Sequence, residues 1–255
     1  MSKFRTRIRD IGRAPGGMGF AAIARQERPR YMIVVAEAAS ADEANAALEA
    51  GADAVVFAGS VPGGFSTKVA IGVRIEDATR DEVTAARDAG ADFFLFDDGR
   101  SHAAALAVEE IGSVLLLGAD QDEQRLRSVS AIDLDAILVE AEADLITVRE
   151  QLELRRVAAM TGAPILLKSN GRPDADILEA WRDAGAPAVL VPAADTAAVL
   201  EAAKAVPAPR RSTERRLAIL GGLTQEAEDH DHEHDHEHDH EHDHEHDHDD
   251  SLRRR

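Results

Sequence analysis

The 255-residue chain contains no cysteine, which excludes disulfides, thiolate metal sites and a cysteine nucleophile. It has no apolar run near 18 residues, so no transmembrane helix is expected. The N-terminus is basic, but no apolar stretch with a cleavage site follows it, so a secretory signal is not expected either. Aromatics are scarce, with one Trp, one Tyr and seven Phe. Positive charge is also short, the formal net charge being −19. Much of that excess lies in residues 229–250, which hold twelve Asp/Glu and ten His; without them and the three closing arginines, 36 acids face 26 bases. Nucleic-acid binding rests on phosphate neutralisation by Lys and Arg, so such a body is a poor partner for it. A cytoplasmic protein is the simplest expectation, with the oligomeric state left open.

What the chain does have is a recurring unit. Short apolar runs appear at Met32–Ala36, Ala54–Ala58, Val69–Val73, Phe93–Phe96, Val114–Leu117, Ala136–Val139, Pro164–Leu167 and Ala188–Val191. Continuous runs of this length fit strands buried on both faces, as in a parallel sheet covered by helices. Ser40–Glu43 and Thr79–Glu82 have the spacing of capping boxes that open helices. Gly51, Gly90 and Gly185 sit where helices should end before the next strand. Eight such units favour a closed (β/α)8 barrel, a TIM barrel, over residues 31–205 rather than an open sheet of five or six strands. The interval from Ala58 to Val69 is too short for a full helix, so the second helix should be one turn or missing.

The remaining segments flank that barrel. Residues 1–30 carry eight Lys/Arg against two acids around a Gly/Pro-rich centre. They read as an arm closing the barrel bottom, with an anion- or partner-binding arm as the alternative. Residues 206–228 form a linker and a short basic helical stretch. Residues 229–255 are low-complexity and should be disordered, having little to bury.

In a barrel of this kind the active site lies at the C-terminal ends of the strands. The residues after the runs are Glu37, Gly59, Ser60, Arg74, Glu76, Asp97, Asp98, Asp120, Glu140, Glu142, Lys168, Ser169 and Asn170. Glu37, Asp97, Glu140 and Lys168 should converge in one mouth. Their carboxylates could hold Mg²⁺ with water and substrate oxygens, or Lys168 could act as a base or Schiff-base former. Neighbouring carboxylates favour the charged ammonium instead, so a structural ion pair of Lys168 with Glu140 or Asp97 is the plainer reading. His102 should start the fourth helix and is a further acid/base candidate.

At Lys168-Ser169-Asn170-Gly171 and the Ala-Gly-Ala-Asp junctions the chain resembles the phosphate-binding superfamily of TIM barrels, which includes isomerases, indole-glycerol-phosphate synthase and aldolases. The resemblance implies that Ser169, Asn170 and Gly171 present donors to a substrate phosphate beside a helix N-terminus. The turn after the eighth run departs from that pattern: Pro192, Ala193 and Ala194 stand where a glycine belongs, and Pro192 has no N–H to offer. Asp174 and Asp176 also put negative charge at the seventh helix start. The converging strand-end set, with Lys168, Glu140, Asp97 and Glu37 as working groups, motivates the reading of a lyase, aldolase or isomerase acting on a small carboxylated or phosphorylated metabolite.

The tail alternates strictly. His230, His232, His234, His236, His238, His240, His242, His244, His246 and His248 are separated by single Asp or Glu residues. Imidazole suits Zn²⁺ and Ni²⁺, and a flexible backbone can wrap three or four ligands around one ion. The pattern resembles the His-rich tails of nickel and zinc metallochaperones. A metal-buffering protein with the barrel as scaffold is therefore the alternative function, and a solvated acidic tail or an engineered tag the bland one. Calorimetry on the full chain and on a chain ending at residue 228 tests the tail: Zn²⁺ and Ni²⁺ heats should disappear with the truncation, and equal binding by both forms would discard the metal reading.

Overall fold

A computed structural model describes residues 2–11, 30–75, 77–118, 121–142 and 146–209. The arm's centre, Glu76, Asp120 and the whole stretch from residue 210, with its ten histidines, lie outside the described residues. The strands are β1 (Ile33–Ala38), β2 (Ala54–Ala58), β3 (Ala70–Arg74), β4 (Phe93–Phe96), β5 (Gly112–Leu116), β6 (Ala136–Ala141), β7 (Ile165–Ser169) and β8 (Ala188–Pro192). All neighbours pair in parallel, and β8 pairs with β1 to close the barrel. The helices are α1 (Lys3–Asp10), α2 (Ala41–Ala50), α3 (Arg80–Asp88), α4 (Glu123–Val129), α5 (Val148–Thr161), α6 (Ala175–Asp183) and α7 (Thr196–Ala205). The molecule is a TIM barrel, as the eight buried runs require.

Two crossovers lack an α-helix. Residues 59–69 join β2 to β3 without one, as the short interval demands. The link from β4 to β5, expected to be helical, carries a 3₁₀ helix instead, Ala103–Ala107, with His102 exposed ahead of it and making no capping bond. The alanine-rich sequence favours helix, yet too few residues remain between the β4 loop and Gly112 to span the barrel as an α-helix.

Local signals explain the other ends. Thr79 and Glu82 form a full capping box at α3, and Thr147 and Glu150 form another at α5. At α2 the box is only half made. Ser40 accepts from the Glu43 N–H, but Glu43 Oε2 takes the N–H of Ala39 at 2.9 Å instead of that of Ser40. Gly51, Gly90 and Gly185 all have φ near +100°, the left-handed turn from helix to strand that a Cβ would oppose.

Alternation along each strand divides the core. Outward residues such as Val55, Phe57, Ile71, Leu115 and Leu167 pack beneath the helices. Inward residues are small on several strands, with Ala54, Ala70, Ala136 and Ala188 in the lumen. The space is filled from below. Phe4 of α1 is fully buried and stacks on Phe93 with ring centroids 4.4 Å apart. Gly72 makes room for this, because a Cβ there would lie 2.4 Å from the Phe93 ring.

Three aspartates at the N-terminal ends of β2, β4 and β6 fix α1 in place. Asp92 accepts the Lys3 and Phe4 N–H groups at 2.9 and 3.0 Å, capping the first turn. Asp135 accepts from the Ser2 hydroxyl and pairs with Arg5 at 2.6 Å. Asp53 takes Arg7 and Arg30, both at 2.7 Å, and the Val34 N–H. Burial pushes the Asp135 carboxyl above its ordinary range, against the opposing bonds from Ser2 and Arg5. Exposed Asp133 is held below it by Arg5. Phe4→Ala should therefore cost about 3–5 kcal/mol in urea denaturation, the range for a fully buried phenylalanine. A loss near zero would mean that the lumen does not depend on this helix.

Candidate functional site

The C-terminal rim of the barrel is set by strand register. Glu37 lies beside Pro192 across the β1–β8 pair, Arg74 beside Ala58 across β2–β3, and Lys168 between Glu140 and Leu190. On their strands Glu37, Arg74 and Lys168 share the parity of the lumen residues Val35, Ala70 and Leu166. The three therefore project into the mouth above the apolar lumen.

Their contacts define the site. Lys168 Nζ sits against both oxygens of Glu37, at 3.3 Å from Oε1 and 3.1 Å from Oε2. Arg74 Nη2 approaches the same carboxylate to 3.6 Å, outside hydrogen-bonding range. Arg74 Nε and Nη2 are shielded from solvent and have no hydrogen-bond partner. One carboxylate thus faces two cations and satisfies the hydrogen bonds of one. The side chains are mostly covered, Lys168 being 16% and Arg74 25% exposed.

The other expected residues sit differently. The partner of Lys168 is Glu37, rather than Glu140 or Asp97. Glu37 and Lys168 flank β8 with both side chains in the mouth; Glu140 shares the inward parity of Ala136 and Leu138 and lies beside Lys168 in register, but is exposed. Asp97 is half-buried and accepts the Gly99 N–H at 2.7 Å within its own loop. Glu140 is exposed and lines a cavity of about 290 Å³ with Glu142, Glu150, Glu153 and Trp181. In that cavity Glu150 is committed to its capping box and Glu153 to Arg156. Asp98 is paired with Arg125 at 2.9 Å.

The candidate phosphate residues do not form one surface. Ser169 is fully buried on the outward face of β7, and its hydroxyl meets the N–H and carbonyl of Gly171, both at 3.4 Å. Asn170 is exposed. Asp174 caps α6, accepting the Ile177 N–H at 3.0 Å, and so occupies the helix end that a phosphate would use. Arg172 reaches Asp195 at 2.5 Å, tying the loop after β7 to the turn after β8.

No set of three or more His, Asp or Glu among the described residues is arranged to hold a metal ion. The donor set agrees for Mg²⁺ in the mouth. Its central carboxylate already faces an ammonium and a guanidinium, which repel a divalent cation. No described helix is long and apolar enough to cross a membrane.

No family model and no curated protein matches the chain. Among solved structures, similarity extends to a designed cube-shaped, porous protein cage built by fusing symmetric oligomeric domains. It is 14% identical with a TM-score of 0.51, over 78% of this chain and 80% of that one. Dihydropteroate synthase from Xanthomonas albilineans is 15% identical with a TM-score of 0.49, over 77% and 94%. The Yersinia pestis enzyme gives 14% and 0.49, over 69% and 93%. At such identities the likeness is one of fold.

Arg74 is one of the strand-end residues, but position alone gives it no part beside Glu37 and Lys168. The signal that could have promoted it is its place after an inward-facing alanine and glycine, where a long side chain has room to cross the mouth. Glu37→Gln checks the electrostatics of the site. Leaving two cations without their carboxylate should destabilise by about 1 kcal/mol, discounted for partial exposure. Sulfate should then raise the melting temperature of the variant more than that of the parent. An equal response in both would show that the mouth has no excess positive field.

Proposed function

We propose that the barrel is an enzyme whose mouth binds a small carboxylated or phosphorylated metabolite and moves a proton on it, in a reaction of the lyase, aldolase or isomerase type. The observation that carries this is the unbalanced triad, with Glu37 held by Lys168 while Arg74 keeps unused donors beside it. An incoming anion is attracted by Lys168 and by the unused donors of Arg74, and competes with Glu37 for Lys168. The Lys168 ammonium then stabilises negative charge developing on a substrate oxygen, where preorganised donors act most strongly. Glu37, released toward Arg74, becomes the base that takes a proton from the adjacent carbon, provided it lies within hydrogen-bond reach.

The remaining strand-end residues take supporting parts. Exposed Glu140, next to Lys168 in register, borders the space where the rest of the substrate sits. Asp97 shapes its own loop rather than touching the reacting atoms. The contact of Lys168 with both oxygens of Glu37 supports an electrostatic role over Schiff-base formation. Ser169, Asn170 and Gly171 bind phosphate in this reading only through exposed Asn170 and the loop backbone. The alternating histidines support a second, separable role for the tail in holding Zn²⁺ or Ni²⁺.

A screen of oxo-acids and sugar phosphates for proton exchange with deuterated solvent tests the proposal. Lys168→Ala and Glu37→Gln should each lower exchange of a responding substrate about 10²-fold or more, and borohydride should trap no adduct. Full exchange by Lys168→Ala would remove the proposed role, and a trapped adduct would replace it with Schiff-base chemistry.

A further inference from the structure

The missing helix between β2 and β3 leaves a groove of about 640 Å³ that begins at the barrel rim and runs along α3. Ala58, Gly59, Ser60 and Arg74 line its rim end, and Val61, Ile75, Ala85, Ala86 and Ala89 its length. Elsewhere in the ring the next helix covers such a face. Here the substitute is local, with Phe65 of the connecting loop set edge-on against Phe57 at 5.1 Å. That covers the sheet but leaves the alanine side of α3 open, with Ala85 and Ala89 exposed. The volume is in the range of pockets for small organic ligands.

The charges around this groove are unequal in their commitments. Asp77 is bound by Arg100 at 2.8 Å, and Glu82 is committed to the Thr79 capping box. Arg74 has no hydrogen bond at all through Nε and Nη2. A guanidinium with a free Nε–Nη2 edge is a fork that takes both oxygens of a planar carboxylate. The Arg74 side chain is 25% exposed and lines the rim end of the groove, where the mouth and the groove meet.

We infer that the groove is the subsite for the apolar chain of an amphipathic carboxylate whose head group is held by Arg74 at the rim. The inference rests on the anion-binding reading of the mouth and adds the class of ligand: an aliphatic acid. A cationic amphiphile would bring its head group to Arg74 and find both groove carboxylates already engaged. A short acid such as acetate would use the head site and leave the groove empty.

Calorimetry on the full chain with octanoate, octylamine, octanol and acetate, all below micellar concentrations, tests this. Octanoate should bind at least about tenfold more tightly than acetate or octylamine, each factor of ten being 1.4 kcal/mol. Ala85→Trp, at an exposed position that should not disturb folding, should fill the groove and weaken octanoate about tenfold while leaving acetate unchanged. Arg74→Met should abolish the preference for octanoate over octanol. Octanoate binding no tighter than acetate, or unaffected by Ala85→Trp, overturns the groove assignment and leaves the anion site standing. Acetate and octanoate both insensitive to Arg74→Met and Lys168→Ala overturn the anion reading, and the groove proposal with it.

Discussion

The structure depends on how the lumen is filled. Alanines at the lower inward positions of β2, β3, β6 and β8 leave space that native packing density does not tolerate. Phe4 and Phe93 occupy that space together, and Gly72 is what leaves room for the Phe93 ring to lie flat against Phe4. The charges at the bottom serve this packing. Asp53, Asp92 and Asp135 stand before alternate strands and between them take the N-terminal donors and the arginines of α1. With the bottom closed by carboxylates binding a basic helix, the upper layer is free to carry unlike charges over an apolar floor.

That division puts the anchoring of α1 at one end of the barrel and the unevenly paired charges of the mouth at the other. Below, each of these three carboxylates has an arginine or a backbone donor and is consumed in holding the fold. Above, one carboxylate is shared by two cations. Removing one partner of a covered pair strands the other charge. The mouth is close to that condition already, since Arg74 has donors with no acceptor. Unsatisfied donors occur at both ends, at Arg74 in the mouth and at Arg30 Nη1 beside Asp53 below, but only in the mouth do two cations share one carboxylate.

Much of the architecture is legible because buried strands and capped helices leave plain marks. Runs such as Ala54–Ala58 and Phe93–Phe96 read as strands because both faces are covered, and their bounds agree with the structure. The link before β5 is not, since the alanines around Leu106 have helical propensity but not the length to use it. The mouth is half legible. Position after a strand identifies Glu37 and Lys168, but which carboxylate meets which cation depends on rotamers and on lumen width, neither of which sequence spacing carries. The aspartates before β2, β4 and β6 stand out in the sequence only as parts of helix-to-strand junctions. Their role could have been found by pairing their alternate-strand recurrence with the basic first ten residues.

The seating of α1 also bears on the order in which the chain folds. Ser2 meets Asp135 and Lys3 meets Asp92, contacts that span 133 and 89 residues. Contacts so distant in sequence close large loops, whose entropy must be met before they return anything. Most of the barrel wall has to exist before the plug has anywhere to sit. During synthesis this helix emerges before the barrel wall and docks after it, so the lumen passes through a stage in which its lower end is open to water.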